Sequence, residues 1–150
     1  MIEWIWKSFD ELSLEELYAL LTLRAEVFVV EQNCPYQDPD GLDIDSRHLL
    51  GREEGCMMAY CRLVAPGKRF SGPSIGRVVA AREARGKGLA HEMMKRAVAE
   101  CRRLYPAQVI SLSAQEHLHD FYAAHGFRSE GRGYMEDGIP HLHMILSPAI

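Results

Sequence analysis

The feature that most constrains the fold of this chain is a β-rich segment that runs into a glycine turn and then into a periodic segment. Residues 75–80 are mostly apolar, the turn reads Arg85-Gly86-Lys87-Gly88, and apolar residues recur at helical spacing from Leu89 onward. A strand, a turn and a helix are therefore predicted in direct succession. A helix begins with unpaired N–H groups and about half a positive charge, and glycines let an anion approach that backbone closely. The pattern alone leaves two interpretations open: a cradle for a pyrophosphate, or a turn that only redirects the chain.

Two common phosphate-binding motifs are excluded at this turn. The patterns G-x-x-x-x-G-K-[ST] and G-x-G-x-x-G are both absent. Arg85 and Lys87 add hydrogen-bond donors at the same place. A pyrophosphate site here would therefore be of another kind.

Length and composition indicate one soluble domain over residues 1–150. The chain has 47% hydrophobic residues, and a domain of this size buries roughly 70% of the surface of its unfolded chain. Its formal charge of −4 argues against a nucleic acid or a membrane as partner, since both favour a basic face. The four cysteines have no metal-binding spacing and are typical of reduced packing residues. Because the N-terminus also lacks a signal-peptide pattern, a cytoplasmic location is expected.

Periodicity and turn residues predict an alternating order of strands and helices. The S-x-x-E spacing at Ser13 and Glu16 is typical of a capping box that opens a helix. Strands are predicted over residues 2–9, 47–53, 56–64, 74–81, 108–112, 127–134 and 142–146, and helices over residues 14–32, with one break, from Gly88 onward and over 115–125. This order indicates an α/β fold in which helices cover a mixed sheet.

Several motifs resemble the GNAT family of N-acetyltransferases. Arg85-x-x-Gly88-x-Ala90 is similar to the family's Q/R-x-x-G-x-G/A motif, and residues 121–127, which read FYAAHGF, resemble its F-Y-x-x-x-G-F segment. Residues 23–32 and 38–43 resemble the ElaA-like branch in particular. The resemblance covers nearly the whole chain and implies the acyl-CoA N-acyltransferase (GNAT) fold, a mixed central β-sheet flanked by helices.

The resemblance further implies an acyl-CoA co-substrate, acetyl-CoA in the simplest case. In GNAT proteins the pantetheine arm pairs with exposed backbone of the fourth strand, and the pyrophosphate lies on the following turn. Gln115 stands where many relatives have an asparagine that contacts the cofactor, and it offers the same amide on a longer arm. The residues expected to bind the cofactor are therefore Val78, Val79, Ala80, Arg85, Gly86, Lys87, Gly88, Leu89, Ala90, His91, Gln115 and Tyr122.

Acyl transfer to an amine needs an acid near the leaving sulfur and a base near the amine. The family usually supplies the acid as the tyrosine of its second motif, here Tyr122, whose ordinary pKa near 10 keeps it protonated. The base is open among four candidates, Glu31, Asp45, His48 and Glu136. The acidic loop over residues 38–45 could attract a cationic amine or be a solvated loop, and Arg24 and Glu31 lie on one predicted helix face as a candidate structural pair.

The seven histidines do not form a recognisable metal motif. His141 and His143 would share one face of a strand, but no third ligand stands at a metal-binding spacing. No metal is therefore expected, and these two residues are candidate groups of the acceptor site.

Three functional hypotheses follow. The first is an acyl-CoA-dependent N-acyltransferase that transfers acetyl directly to a primary amine, since no cysteine motif indicates a covalent intermediate. The second is a non-catalytic acyl-CoA sensor, and the third is an acyltransferase for longer acyl groups. The acceptor is unassigned, and a homodimer formed through sheet edges or apolar faces is one open assembly.

Overall fold

A computed structural model describes residues 1–149 of the chain. One mixed sheet runs through these residues in the order β1-β2-β3-β4-β5-β8-β6, with β7 paired to β8. The strands are β1 Glu3–Ser8, β2 Arg47–Glu53, β3 Cys56–Val64, β4 Ser74–Ala80, β5 Ile110–Gln115, β6 Arg128–Ser129, β7 Tyr134–Glu136 and β8 Ile139–Leu146. The helices are α1 Leu14–Arg24, α2 Leu89–Leu104 and α3 His119–Ala123. The predicted α/β class and mixed sheet are confirmed.

The first four strands pair antiparallel in chain order, and the turn between β2 and β3 is explained by its residues. Glu54 and Gly55 join β2 to β3, and both have positive φ, 51° and 80°. Such a pair of residues gives the two-residue hairpin turn whose twist matches that of the strands. The predicted bounds of β2 and β3 are confirmed at both ends.

The two halves of the sheet meet at a single point. Strands β4 and β5 are parallel, and only Ser74 and Ser111 are paired between them. One backbone hydrogen bond at this junction joins the amide of Ser111 to the carbonyl oxygen of Pro73, at 3.0 Å. Beyond it β4 and β5 diverge, and a gap opens between them toward their carboxyl ends.

Helices α1 and α2 cover opposite faces of the sheet. Adjacent strand residues point to opposite faces, and Leu49 packs with the α2 residues Met93 and Met94, whereas Leu50 packs with Leu20 and Leu23 of α1. Each face therefore has its own apolar core. The single gap between β4 and β5 lies between these two layers.

Helix α1 begins as predicted and changes its geometry once. The side chain of Ser13 accepts from the amide of Glu16, and the carboxylate of Glu16 accepts from the amide of Ser13, so the capping box is confirmed. From Ala25 to Glu31 the segment continues as a π-helix. This wider turn is the single break that the sequence predicts, and π segments are frequent at functional sites.

The carboxyl-terminal third differs from the prediction in four elements. Strand β5 covers Ile110–Gln115 instead of residues 108–112, and β8 covers Ile139–Leu146 instead of 142–146. The helix predicted over 115–125 is a 3-10 turn, Glu116–Leu118, followed by α3 alone. The strand predicted over 127–134 is interrupted between β6 and β7, because Gly131 has a φ of 77° and leaves the extended conformation.

Two further features concern the state of the cysteines and the length and apolar character of the helices. Cys34, Cys56, Cys61 and Cys101 are free thiols, and all but Cys56 are buried. Over residues 1–149, none of the helices combines the length and the apolar character that crossing a bilayer requires.

Candidate active site

The gap between β4 and β5 is the floor of a cleft of about 400 Å³. The π-helix and the chain after it form one wall, with Phe28, Cys34 and Tyr36 facing the cleft. Helix α3 and the β7–β8 hairpin form the other wall. A cleft of this volume has the size of a small-molecule site.

Strand β4 carries a bulge at the cleft. Tyr60 pairs with Val79 and Arg62 pairs with Gly76, so Arg77 and Val78 together oppose Cys61. Arg77 has a φ of 50°, an uncommon conformation for a residue with a side chain. A bulge of this type bends its strand and redirects its backbone groups.

Beyond the bulge, the backbone of β4 has no partner strand on the side of the cleft. The carbonyl oxygen of Ala80 points to the guanidinium of Arg85, at 3.2 Å from its Nη2, and not to β3. Residues 78–80 line the cleft and have no backbone partner on β5, whose only paired residue with β4 is Ser111. The strand therefore offers an unpaired edge inside the cleft to an extended ligand.

The glycine turn places the start of α2 next to this edge. Gly86 and Gly88 have φ of 81° and 74°, and Gly88 is the residue that precedes the helix. No side chain caps the first turn of α2. The amides of Leu89, Ala90 and His91 open the helix, and such unpaired amides attract an anion.

The two basic residues of the turn point in different directions. Arg85 lines the cleft and holds both oxygens of the Glu31 carboxylate, with its Nη1 at 2.6 Å and its Nη2 at 3.0 Å. Lys87 does not line the cleft but borders a separate depression near Met1 and Glu53. The structure therefore brings Arg85 into the cleft and leaves Lys87 outside it.

Tyr122 lies in the wall of the cleft, on α3. Its side chain is 6% exposed, and its ring packs edge-on against Phe121 and Phe127. Among residues 1–149 the hydroxyl has no hydrogen-bond partner, although Tyr122 lines the cleft. Burial raises the pKa of the phenol, so the hydroxyl is protonated and free to donate to a ligand.

Gln115 lies at the end of β5 and reaches across the cleft. Its side-chain amide donates to the amide oxygen of Gln32 at 3.1 Å, and Gln32 donates back at 3.4 Å. Ala90 also lines the cleft, whereas His91 does not: its ring packs at a tilt of 40° against Phe121, and its Nδ1 lies 2.8 Å from Nε2 of His125. The structure thus gathers most of the predicted cofactor residues around one cleft.

The four candidate bases are separated by the structure. Glu136 and Glu31 line the cleft, and both are ion-paired: Glu136 with Arg69, and Glu31 with Arg85, whose hydrogen bonds lower the pKa of Glu31. Asp45 lies on the surface opposite Lys68. His48 is fully buried away from the cleft, between the hydroxyl of Tyr60 and the carbonyl of Asp43.

The acidic loop forms a buried ionic network instead of an exposed acidic patch. Asp38 accepts from Arg24 and Arg77, and Asp43 accepts from Arg24 and Arg62. Asp40 completes the network with Arg62 and Arg77. None of residues 38–45 lines the cleft. The expectation that this loop attracts a cationic amine into the site is therefore wrong, because Asp38, Asp40 and Asp43 are ion-paired with arginines within the fold, and the exposed Asp45 lies away from the cleft.

The proposed pairing of Arg24 with Glu31 is also wrong. Arg24 is fully buried, and its partners are Asp38 and Asp43. Glu31 pairs with Arg85 and Arg82. The change from α-helix to π-helix at Ala25 alters the spacing of the two residues around the helix.

Several cleft residues have no motif that marks them in the sequence. Arg69 and Phe70 come from the loop between β3 and β4, Tyr36 follows the π-helix, and Ser113 lies on β5. Burial raises the pKa of Tyr36 to about 12, and its hydroxyl donates to Asp38. Over residues 1–149, no group of three or more His, Cys, Asp or Glu side chains has a metal-binding arrangement.

Comparisons with known proteins agree with this architecture. The family model of the acetyltransferase (GNAT) domain matches residues 44–148. Protein ElaA of Escherichia coli is 43% identical over 146 residues, which cover 96% of this chain and 95% of ElaA. The crystal structure of ElaA superposes with a TM-score of 0.92 and covers 98% of this chain and 100% of that one, at 42% identity.

Two further relatives extend the comparison. The crystal structure of an acyl-CoA N-acyltransferase from Pseudomonas aeruginosa superposes with a TM-score of 0.93 at 46% identity, and covers 98% of this chain and 100% of that one. UPF0039 protein sll0451 of Synechocystis is 43% identical over 145 residues, which cover 96% of this chain and 94% of that protein.

The fold and the matches define the class of protein as an N-acyltransferase with the GNAT fold. The chain belongs to the GNAT acetyltransferase family, and the identity to ElaA over nearly its full length places it in the ElaA-like branch.

Proposed function

We propose that the protein transfers the acetyl group of acetyl-CoA directly to a primary amine of a small molecule or peptide. The observation that carries this proposal is the free edge of β4 in the cleft, which continues through the Gly86–Gly88 turn into the uncapped start of α2. An extended pantetheine arm can pair with such an edge, and a pyrophosphate can accept hydrogen bonds from the helix amides. The whole cofactor site is then made mainly of backbone.

Tyr122 is proposed as the acid of the reaction. The attack of the amine on the thioester carbon gives a tetrahedral intermediate, and the breaking of the C–S bond leaves a thiolate. The Tyr122 hydroxyl lines the cleft without a partner among residues 1–149 and can donate its proton to that sulfur. Its proton is replaced by the one that the new amide nitrogen loses.

The first test is a calorimetric titration with acetyl-CoA. The wild-type protein should bind it, and Gly88→Val should weaken the binding by at least tenfold, because a β-branched side chain disfavours the φ of 74°. Lys87→Ala is the matched control, since this side chain lies outside the cleft. A wild-type protein that does not bind acetyl-CoA at millimolar concentration would overturn the proposal.

The second test separates an enzyme from a sensor. Thiol release from acetyl-CoA is followed with a panel of primary amines. An enzyme releases CoA with at least one amine, whereas cofactor binding without release across the panel would favour the non-catalytic sensor. Competition between acetyl-CoA and longer acyl-CoA thioesters then decides the acyl length, and tighter binding of a longer chain would contradict the acetyl assignment.

A further inference from the structure

The wall of the cleft opposite the glycine turn carries a compact group of charged and polar side chains. Arg69 and Glu136 lie side by side, with Arg69 Nη2 at 3.1 Å from Glu136 Oε1. His141 Nε2 lies at 3.4 Å from the other carboxylate oxygen, and Ser113 Oγ at 3.5 Å from Oε1. All four side chains line the cleft. We call this group the Arg69–Glu136 pair with its neighbours Ser113 and His141.

Arg69 is held in place by its neighbours, but most of its N–H donors have no hydrogen-bond partner within residues 1–149. Its guanidinium lies 5.5 Å from the centre of the Phe70 ring, and Phe70 in turn stacks on His143 with ring centres 4.9 Å apart. A guanidinium has five N–H donors. Within residues 1–149 its one side-chain hydrogen bond goes to Glu136. The remaining donors of this fixed arginine suit a carboxylate, which accepts two parallel hydrogen bonds from a guanidinium.

We infer that the Arg69–Glu136 pair is the acceptor subsite and that the acceptor is a free α-amino acid. Its carboxylate binds Arg69 and its ammonium group binds Glu136. This inference rests on the proposed acyltransferase function and names the substrate class for it.

The spacing of the two charges selects this class of acceptor. In an α-amino acid the ammonium nitrogen and a carboxylate oxygen are separated by three bonds, or about 3 Å. Arg69 and Glu136 are themselves in contact, so the pair complements two opposite charges that are equally close. A polyamine has no carboxylate for Arg69, and its additional positive charges would be repelled. A lysine side chain within a protein has no carboxylate next to its amine.

The surroundings of Glu136 provide a path for the proton of the amine. The Nδ1 of His141 lies 2.8 Å from the carbonyl oxygen of Ile139, which can only accept, so Nδ1 carries the hydrogen. In the neutral ring Nε2 then has a lone pair and lies 3.4 Å from Glu136 Oε2. A proton that Glu136 takes from the ammonium group can therefore pass to His141.

The proton and electron balance of the transfer is complete with these groups. The ammonium group gives one proton to Glu136, and the neutral amine forms the new C–N bond with the thioester carbon. The C–S bond then breaks, and its electron pair leaves with sulfur, which takes the proton of Tyr122. The nitrogen loses its second proton, which restores Tyr122. One amino acid and one acetyl-CoA give one N-acetylamino acid, one CoA thiol and one released proton.

The test compares each L-amino acid with its carboxamide, which keeps the amine and removes the carboxylate charge. Binding to the CoA-saturated protein is measured by calorimetry for the twenty pairs. At least one amino acid should bind ten times more tightly than its carboxamide. In Arg69→Gln this ratio should fall below three, whereas Arg128→Gln, on β6 and outside the cleft, should keep it.

Turnover and a second variant complete the test. With the amino acid that binds best and acetyl-CoA, Arg69→Gln should raise KM and change kcat little, because a contact made in both ground and transition states affects binding. Arg69→Lys, which keeps the charge but loses the planar fork, should show an intermediate ratio and serves if Arg69→Gln does not fold. Equal binding of acids and carboxamides, no binding of any amino acid, or an unchanged ratio in both Arg69 variants would overturn the inference. Titration with CoA on the same samples shows whether the proposed function stands when this inference fails.

Discussion

Removal of one buried carboxylate should destabilise the protein strongly. Asp43 accepts from Arg24 Nη1 at 2.8 Å, from Arg24 Nη2 at 3.1 Å and from Arg62 Nη1 at 2.9 Å. Both guanidinium side chains are 0% exposed. Asp43→Asn removes the charge at nearly constant volume and leaves two buried cations with fewer compensating anions. Breaking a buried pair in this way costs about 3–5 kcal/mol.

This loss is large compared with the stability of the domain. A free energy of unfolding of about 5–15 kcal/mol is normal for natural domains. For about 150 residues each kcal/mol corresponds to roughly 2–4 °C in Tm, so the Tm of Asp43→Asn should fall by about 6–20 °C. The free energy should be measured by urea unfolding, and an unchanged m-value would show that the native state alone is affected.

Asp45→Asn is the matched control because Asp45 is in the same loop. Its carboxylate is 62% exposed and lies 3.5 Å from Lys68, whose side chain is 51% exposed. An exposed pair of this type contributes about 0–1 kcal/mol. If Asp43→Asn and Asp45→Asn differed by less than 1 kcal/mol, the assignment of the network as a stabilising element would be refuted.

The effect of Asp43→Asn should also depend on pH. Although burial alone would raise the pKa of Asp43, the hydrogen bonds from Arg24 and Arg62 hold it below the usual range. A carboxyl whose pKa is lowered by folding contributes its full stability above its unfolded pKa and loses it as the pH falls through the folded one. The difference between wild type and Asp43→Asn should therefore be complete at pH 7 and shrink below about pH 4.

Three further predictions concern the acid, a buried histidine and the strand junction. Tyr122→Phe should lower kcat by about 10²–10⁴-fold and leave Tm unchanged, because the hydroxyl has no partner within residues 1–149. Full turnover would remove Tyr122 as the acid. Burial lowers the pKa of His48, so the unfolded chain binds more protons and stability should fall below pH 6.5 by up to about 1.4 kcal/mol per pH unit. His48→Gln should weaken this dependence of the free energy of unfolding on pH, measured by urea titrations between pH 6.5 and 5. An identical pH dependence in the variant would contradict its attribution to the buried His48. A Cβ on Gly72 would lie 2.3 Å from the carbonyl oxygen of Val109. Gly72→Ala should therefore lower the free energy of unfolding by about 1–3 kcal/mol. At Gly76 the nearest atom to a Cβ would be 4.0 Å away, so Gly76→Ala should change the free energy of unfolding by much less in the same urea assay.

The sequence predicts the first two thirds of the fold because local signals there agree with the tertiary structure. The capping box at Ser13, the positive-φ turn at Glu54–Gly55 and the apolar stripe of α2 are each sufficient to define an element. In the last third, β6 has two residues and α3 has five. Elements so short depend on their neighbours more than on their own periodicity, and their bounds are therefore not readable from the sequence.

The parts of the candidate site also differ in how far the sequence predicts them. The glycine turn and Tyr122 belong to motifs and are recognisable in the sequence, and the structure places Tyr122 and the residues that flank the two glycines, Arg85 and Ala90, at one cleft. The ionic network of the acidic loop is not recognisable in the sequence because its partners are distant: Arg62 is 22 residues from Asp40, and Arg77 is 39 residues from Asp38. Arg69 comes from a loop without a motif, and only the fold brings it to Glu136.

The unpaired edge of β4 makes ligand recognition tolerant of mutation. Every amino acid except proline presents the same N–H and C=O groups, so substitutions in residues 78–80 alter the shape of the cleft without removing the groups that pair with an extended ligand. The opposite wall, which is built from side chains such as Arg69, changes its chemistry with each substitution. Under the proposed function, single substitutions in the side-chain wall would therefore change the acceptor, while the backbone groups proposed for the acyl donor stay the same.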